Sequence, residues 1–323
     1  MSNLDEDPHE IVAVSAGSTT VMLEPREVPL GGPRALTVRR TLPQRQRSLI
    51  GPWCFVDHYG PDAVAGPGAM TVPPHPHTGL QTVSWLFAGE IEHRDSAGNH
   101  AMVRPTELNL MTAGRGIQHS EVSTSATTVL HGAQLWVALP DAERSRAPFF
   151  EHHRPQPVTY GPATVHVFLG SLVGSTSPAR AFSPIVGAQL DLPPHAAVEL
   201  PVDPGFEHGL LLDRGGLSID GDELALSHLA FREAGPASLT LTAGAEGARA
   251  LLIGGAPFGE RIVMWWNFIG RSHDEIVAYR AEWQDDVIAA GTASGAFGAV
   301  AGYPGSALPA PELPNVRLRP RDA

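Results

Sequence analysis

The chain is short of cysteine, of long apolar runs and of positive charge, and each shortage excludes something. A single cysteine, Cys54, leaves no partner for an intrachain disulfide, so the fold needs no oxidising compartment. No run of about 18 apolar residues occurs, and no transmembrane helix is expected. The opening residues, MSNLDEDPHE, are acidic and lack the apolar core of a secretory signal. A cytoplasmic location is therefore the expectation, with no membrane association. Lys and Arg number 22 against 34 Asp and Glu, a formal net charge of −12, which repels nucleic acid and anionic lipid. The one basic cluster is Arg34, Arg39, Arg40, Arg45 and Arg47. It has no interleaved aromatics and no basic helix, so it reads as a solvated edge strand and loop or as salt bridges to the many carboxylates. Direct nucleic-acid binding is not expected.

What the chain does have is punctuation. Its 323 residues suit two domains, and 34 Gly with 30 Pro favour many turns and short strands over long helices. From Thr20 to about Leu139, apolar runs such as TVSWLFAG, LNLMTAG and LHGAQLWVAL have strand length and β-branched or aromatic content. Gly89, Gly98-Asn99 and Gly114 to Gly116 fall where hairpin turns are needed. This predicts an antiparallel all-β domain, a sandwich or a barrel. Residues 140–157, charged and proline-bearing, read as a connection. A second β-rich pass follows, then one helix. Ser272 and Glu275 form a capping box at its start, Ile276, Tyr279, Trp283 and Val287 share a face, and Gly291 stops it. The expected division is residues 1–145, 146–292 with the helix, and an Ala-, Gly- and Pro-rich tail over 293–323 that is flexible or draped on the surface.

Two histidine-bearing pairs carry the chemistry. His75 and His77 in PHPHTG stand two apart, so both imidazoles point to one face of a strand, and Pro76 belongs at a sheet edge or strand start. His119 and Glu121 in GIQHSE repeat the spacing. Two such strands side by side aim three nitrogens and one carboxylate at a point, a divalent transition-metal site with room for water or substrate. The competing reading is one or two core histidines bonded to backbone. His152 and His153 are adjacent and point to opposite faces, which marks them as surface residues. His195, His208 and His228 lack paired spacing, so a second metal site is not expected. Cys54, between Trp53 and Phe55, reads as a packed small residue, and no phosphate loop or nucleophile elbow is present.

These residues also carry a resemblance. RRTLPQRQRSLIGPWCFVDHYGP, PHPHTGLQTVSWLFAGEIEHRDSAGN, MTAGRGIQHSE and GAQLWVALP resemble the pirins, densely over residues 34–139, and FGERIVMWWNFIGRSHDEI looks like the segment bacterial pirins carry before their C-terminal helix. The resemblance implies a bicupin: two antiparallel, jelly-roll-like β-barrel domains with a short C-terminal helix. It implies one metal in the first barrel, usually iron(II), with Ni, Mn, Co, Cu or Zn as alternatives, held by residues matching His75, His77, His119 and Glu121. The second barrel would be metal-free. Some members have quercetin 2,3-dioxygenase activity, others act as regulatory cofactors. For an enzyme, the substrates would be a flavonol or related enolisable aromatic and O2, with Glu121 accepting the hydroxyl proton and Trp53, Phe55 and Met111 walling the pocket. The alternative is a non-enzymatic, iron-binding, redox-responsive protein with a protein partner. A zinc-type hydrolase is disfavoured because four protein ligands crowd a tetrahedral ion. Two departures stand out. Gln81 replaces a common Glu and should lower negative charge near the metal. Pro105-Thr106-Glu107 replaces Pro-Gly-Asp, so that turn should avoid positive φ or take another geometry.

Overall fold

Short β-rich segments separated by turn residues become antiparallel strands throughout. The computed structural model describes residues 20–29, 36–64 and 70–320, so Arg34 of the basic cluster lies outside the described residues. The first twelve strands are β1 (Val21–Leu23), β2 (Arg26–Pro29), β3 (Thr37–Leu42), β4 (Trp53–Ala63), β5 (Thr71–His77), β6 (Leu80–Ala88), β7 (Ile91–Asp95), β8 (His100–Val103), β9 (Leu108–Thr112), β10 (Ile117–Ser123), β11 (Val129–Ala138) and β12 (Phe149–His153). The second set is β13 (Val158–Tyr160), β14 (Ala163–Leu172), β15 (Ser175–Thr176), β16 (Ile185–Leu192), β17 (Ala197–Pro201), β18 (Glu207–Ile219), β19 (Asp222–Leu224), β20 (Leu229–Arg232) and β21 (Ser238–Gly255). A small hairpin, β22 (Val263–Trp265) with β23 (Phe268–Gly270), leads into helix α1 (His273–Glu282), which runs on as a π-helical turn over Trp283–Ala289.

The first domain sets a seven-stranded sheet, β12-β9-β6-β11-β4-β3-β2, against a four-stranded sheet, β5-β10-β7-β8. Val38, Tyr59, Leu86 and Leu130 of one sheet pack with Val72, Ile91 and Val103 of the other. The second domain is built on the order β1-β20-β18-β21-β16-β14-β13. Its own core is aliphatic, with Val165, Leu190, Leu210 and Leu252 among its members. This is the expected all-β, two-barrel architecture.

The larger sheet of the first domain is covered on both faces. Along β6, Leu80 and Leu86 face the first barrel, while Val83 and Trp85 join Phe168, Leu211 and Leu251 of the second. Thr82 and Ser84 alternate with Val83 and Trp85 along the strand, so its apolar side meets the second domain while Ser84 reaches Glu121 on the other side. Trp53 Nε1 donates to the Val186 and Gly254 carbonyls at 3.2 and 3.0 Å, and Glu207 accepts from the Gly51 N–H at 2.7 Å. These bonds tie the barrels together.

Segments cross the expected boundaries. Strand β1 pairs with β20 of the second domain, and β12, inside the expected connection, pairs with β9 of the first. The helix packs on the first domain: Arg144 bridges to Glu275 at 3.0 Å, and the Ile269 N–H donates to Thr78 at 3.0 Å. Ser272 Oγ accepts the Glu275 N–H at 3.2 Å, as a capping box requires, but the Glu275 carboxylate accepts from Arg271 N–H instead of Ser272. Ile276 and Trp283 are buried, with Tyr279 and Val287 half-buried beside them. The tail is draped and anchored: Phe297 is wholly buried against Trp283 and Phe268, and the Leu308 N–H donates to the Pro74 carbonyl.

The basic cluster works as internal pairing. Arg40 binds Asp57 through two bonds of 2.6 and 2.7 Å, and Arg47 reaches Glu207 of the second domain. The turn after β8 departs from expectation. Thr106 takes a left-handed backbone, φ 61°, held by its N–H to the Leu86 carbonyl and its hydroxyl to the Pro105 carbonyl. The tertiary bond to β6 fixes the turn in the glycine geometry although the residue is β-branched. Replacing Thr106 with Gly is expected to stabilise the protein by about 1 kcal/mol, seen as a raised thermal midpoint. An unchanged or lowered midpoint would show that the turn carries no such strain.

Candidate metal centre

Strand β10 lies between β5 and β7, and the site is built from the inward residues of these three. Its register sets His119 opposite His75 on one side and opposite Asp95 on the other, while Glu121 sits opposite His93. A bulge between His119 and Glu121 on the β5 side reopens the spacing. Strand β5 is the sheet edge, which is where Pro76 can sit without losing a ladder bond. Gly79, at φ 70°, turns the chain into β6, and a Cβ there would strike the Ile269 carbonyl of the docked hairpin.

The nitrogens of His75, His77 and His119 all lie within 4.8 Å of one another, and His77 Nε2 stands 3.1 Å from His119 Nε2. Glu121 belongs to an overlapping group, within the same 4.8 Å limit, with His93 and His119. Thus the structure brings the four expected residues to one cavity wall and sets His93, which the sequence reading missed, beside His119 and Glu121. The overlooked signal was His93-Arg94-Asp95, a further pair at strand spacing.

The electrostatics suit a cation. Burial pushes His75 down to about 4 and holds His77 and His119 well below the usual imidazole range, so all three rings are neutral with lone pairs available. Burial raises the Glu121 carboxyl, against the opposing pull of His93 and the Ser84 hydroxyl. His77 Nδ1 is buried and makes no well-aligned hydrogen bond, although the Asn267 backbone favours the protonated ring. A desolvated carboxylate and bare imidazoles lack positive charge, which a divalent ion supplies.

The site opens into a cavity of about 410 Å³. Phe55 and Trp136 stack at 4.1 Å on its wall, and Trp136 meets His77 edge-on at 5.1 Å. Met264, Trp266, Asn267 and Leu308, from the hairpin and the tail, also line it, as do the paired Arg40 and Asp57. Of the three expected pocket residues only Phe55 lines it. Strand β4 slips by one residue between its pairings Trp136–Phe55 and Val137–Trp53, so Trp53 turns to the second domain although it stands two residues from Phe55. Met111 is buried in the apolar cluster behind Phe55. Gln81 also points away: it donates to Thr112 Oγ1 at 2.9 Å and to the Arg180 carbonyl at 3.0 Å, on the face of β6 opposite the cavity. It does not set the charge around the site.

A second polar cluster joins the two domains. Asp213 Oδ1 is met by His58 Nε2 at 2.8 Å and His131 Nε2 at 2.6 Å, while Arg249 binds Oδ2 at 2.5 Å. Burial would raise the Asp213 carboxyl, but the two imidazoles and the guanidinium hold it below the usual range.

The sequence model of pirin matches residues 35–137, and that of the pirin C-terminal cupin domain matches residues 187–288. A Pseudomonas aeruginosa protein named as a candidate quercetin 2,3-dioxygenase is 43% identical over 290 residues, covering 90% of this chain and 89% of that protein. The chain belongs to the pirin family. A pirin-like protein of Caulobacter vibrioides is 35% identical, over 76% of this chain and 88% of its own. The crystal structure of a quercetin 2,3-dioxygenase from Acinetobacter baumannii superimposes with a TM-score of 0.86 at 36% identity, covering 93% of this chain and 97% of that one. Pirin membership implies a divalent metal, and the donor set fits one. No helix among the described residues is long and apolar enough to cross a membrane.

The buried histidines of this pirin set its acid limit. His75 and His208 are held down to about 4, and His58 is also lowered, each mainly by burial. Unfolded rings titrate near 6.5, so the unfolded chain gains protons before the folded one. Stability of the metal-free protein is therefore full above about pH 6.5 and falls as the pH drops towards 4. Urea midpoints measured at pH 7.5, 6 and 5 should decrease in that order; a flat series would refute neutral burial.

Proposed function

We propose that this pirin is a metal-dependent dioxygenase of the quercetin 2,3-dioxygenase type, acting on a flavonol or related enolisable aromatic with O2. The observation that carries the reading is the cavity: neutral imidazoles and a buried carboxylate open onto an aromatic-walled space of about 410 Å³, within the range of small-molecule sites. An exposed metal on a flat charged surface would instead favour the redox-responsive regulatory role.

His75, His77, His119 and Glu121 would hold the metal, iron(II) being the first choice. When bound, it would supply the positive charge that favours the deprotonated substrate and a route for electrons to dioxygen. The chain's own residues do the rest. Phe55 and Trp136 stack on one another, with the Arg40 guanidinium over Phe55, and line the space together with Trp266. The raised Glu121 carboxyl makes it a base suited to take the substrate hydroxyl proton at its carboxylate oxygen. The hairpin and tail shield the reacting centre from bulk water. The names carried by the Pseudomonas and Acinetobacter relatives support the same reaction.

Metal analysis of untagged protein should give about one redox-capable metal per chain, and the loaded protein should consume flavonol with release of carbon monoxide. His77→Ala and His119→Ala should lose the metal while the second domain stays folded by circular dichroism. A chain that takes up no iron, nickel or manganese would sink the dioxygenase reading; a loaded chain inert to flavonols would leave the regulatory one.

A further inference from the structure

We propose that His93 and Asp95 fix the tautomer of His119, and so decide which of its nitrogens faces the cation. The inference rests on the metal-site reading above, but its first test needs no metal. His93 and Asp95 are positioning residues here, acting through His119.

The chain of contacts starts at Asp95. Its Oδ1 accepts the N–H groups of Ala97 and Asn99 at 2.9 and 3.0 Å, and the Asn99 side-chain amide reaches both oxygens at 3.0 Å. The turn between β7 and β8 therefore holds this carboxylate rigidly, and Asp95 is only 2% exposed. Its Oδ2 lies 3.2 Å from His93 Nε2. An ionised carboxylate can only accept, so His93 Nε2 carries the proton. In the neutral form of the ring this is the single N–H, which leaves His93 Nδ1 as an acceptor. That atom lies 3.3 Å from His119 Nδ1, which must then donate. His119 Nε2 is left bare, and it is the atom that stands 3.1 Å from His77 Nε2 inside the three-histidine cluster.

Two neighbouring facts reinforce this order. His93 stacks on Phe150 with centroids 4.8 Å apart and planes 26° apart, so its ring is held in place. His75 Nδ1 donates to the Pro73 carbonyl at 2.9 Å, which leaves its Nε2 bare as well. Two of the three rings thus present unprotonated Nε2 atoms before any cation arrives. His77 Nε2 faces His119 Nε2 across 3.1 Å, and the Asn267 backbone beside the His77 ring offers its proton another acceptor. In the alternative group of His93, His119 and Glu121, use of His119 Nδ1 as a ligand would break its bond to His93. Partners of this kind behind a ligating histidine commonly contribute 10–100-fold in metal affinity, roughly.

The test is a long-range proton–nitrogen correlation spectrum of the metal-free full chain labelled with ¹⁵N-histidine, followed by nickel(II) titration. His119 should carry its proton on Nδ1 and His93 on Nε2. His93→Phe keeps the ring against Phe150 but removes the acceptor; its His119 should lose the tautomer preference and its nickel(II) affinity should fall roughly 10–100-fold. His93→Gln returns an acceptor and should recover most of the affinity. A wild-type His119 protonated on Nε2 overturns the proposal, and this spectrum decides it even if His93→Phe does not fold. A folded His93→Phe that binds nickel(II) as tightly as wild type also overturns it. Expected tautomers in a wild-type chain that takes up no nickel(II) uphold the relay and overturn the metal reading alone.

Discussion

The position of one strand decides most of this structure. Strand β10 is hydrogen-bonded to β5 along one edge and to β7 along the other, so its inward residues meet inward residues from both sides at the same height. Antiparallel register then does the assembly: His75 and Asp95 are both set against His119, and His93 against Glu121. Shifting β10 by a single residue would turn His119 and Glu121 to the other face, away from His75, His93 and Asp95. The bulge after His119 is confined to the β5 side, so the His93–Asp95 side stays regular while the histidine pair gains room.

Burying so many polar groups is unfavourable unless each finds a partner. Around the site the partners are largely supplied: Pro73 for His75, Asp95 for His93, Ser84 for Glu121. The Nδ1 of His77 makes no well-aligned bond. At the domain junction the same problem is solved with charge, since Asp213 collects two imidazoles and a guanidinium. Every basic side chain in the protein apart from histidine is an arginine; the sequence contains no lysine. Arginine suits these half-buried positions because its fork meets a carboxylate through two bonds at once, as Arg40 does with Asp57.

The all-β character and the paired histidines were legible because both rest on local periodicity, while the two-barrel form came from the resemblance to the pirins. Strand-length runs and turn glycines report themselves, and a His-x-His spacing states that two rings share a face without reference to any partner strand. The residues that were missed or misplaced depend on longer-range facts. His93 acquires meaning only when β7 is known to lie beside β10. Trp53 and Phe55 have the spacing of a shared face, and a bulge at Cys54, set by pairing with β11, separates them. The turn at Thr106 was expected to avoid a left-handed backbone or take another geometry, yet a bond to Leu86, twenty residues earlier in the chain, holds it left-handed. Trp136 and Trp266 needed the closed cavity before either could be recognised as its wall.

The roof over the cavity has a temporal meaning. Met264, Trp266, Asn267 and Leu308 emerge from the ribosome long after His75, His77 and His119. The residues that cover the histidines are therefore made after the residues they cover, and the cover forms only where the hairpin docks beside Thr78 and Gly79.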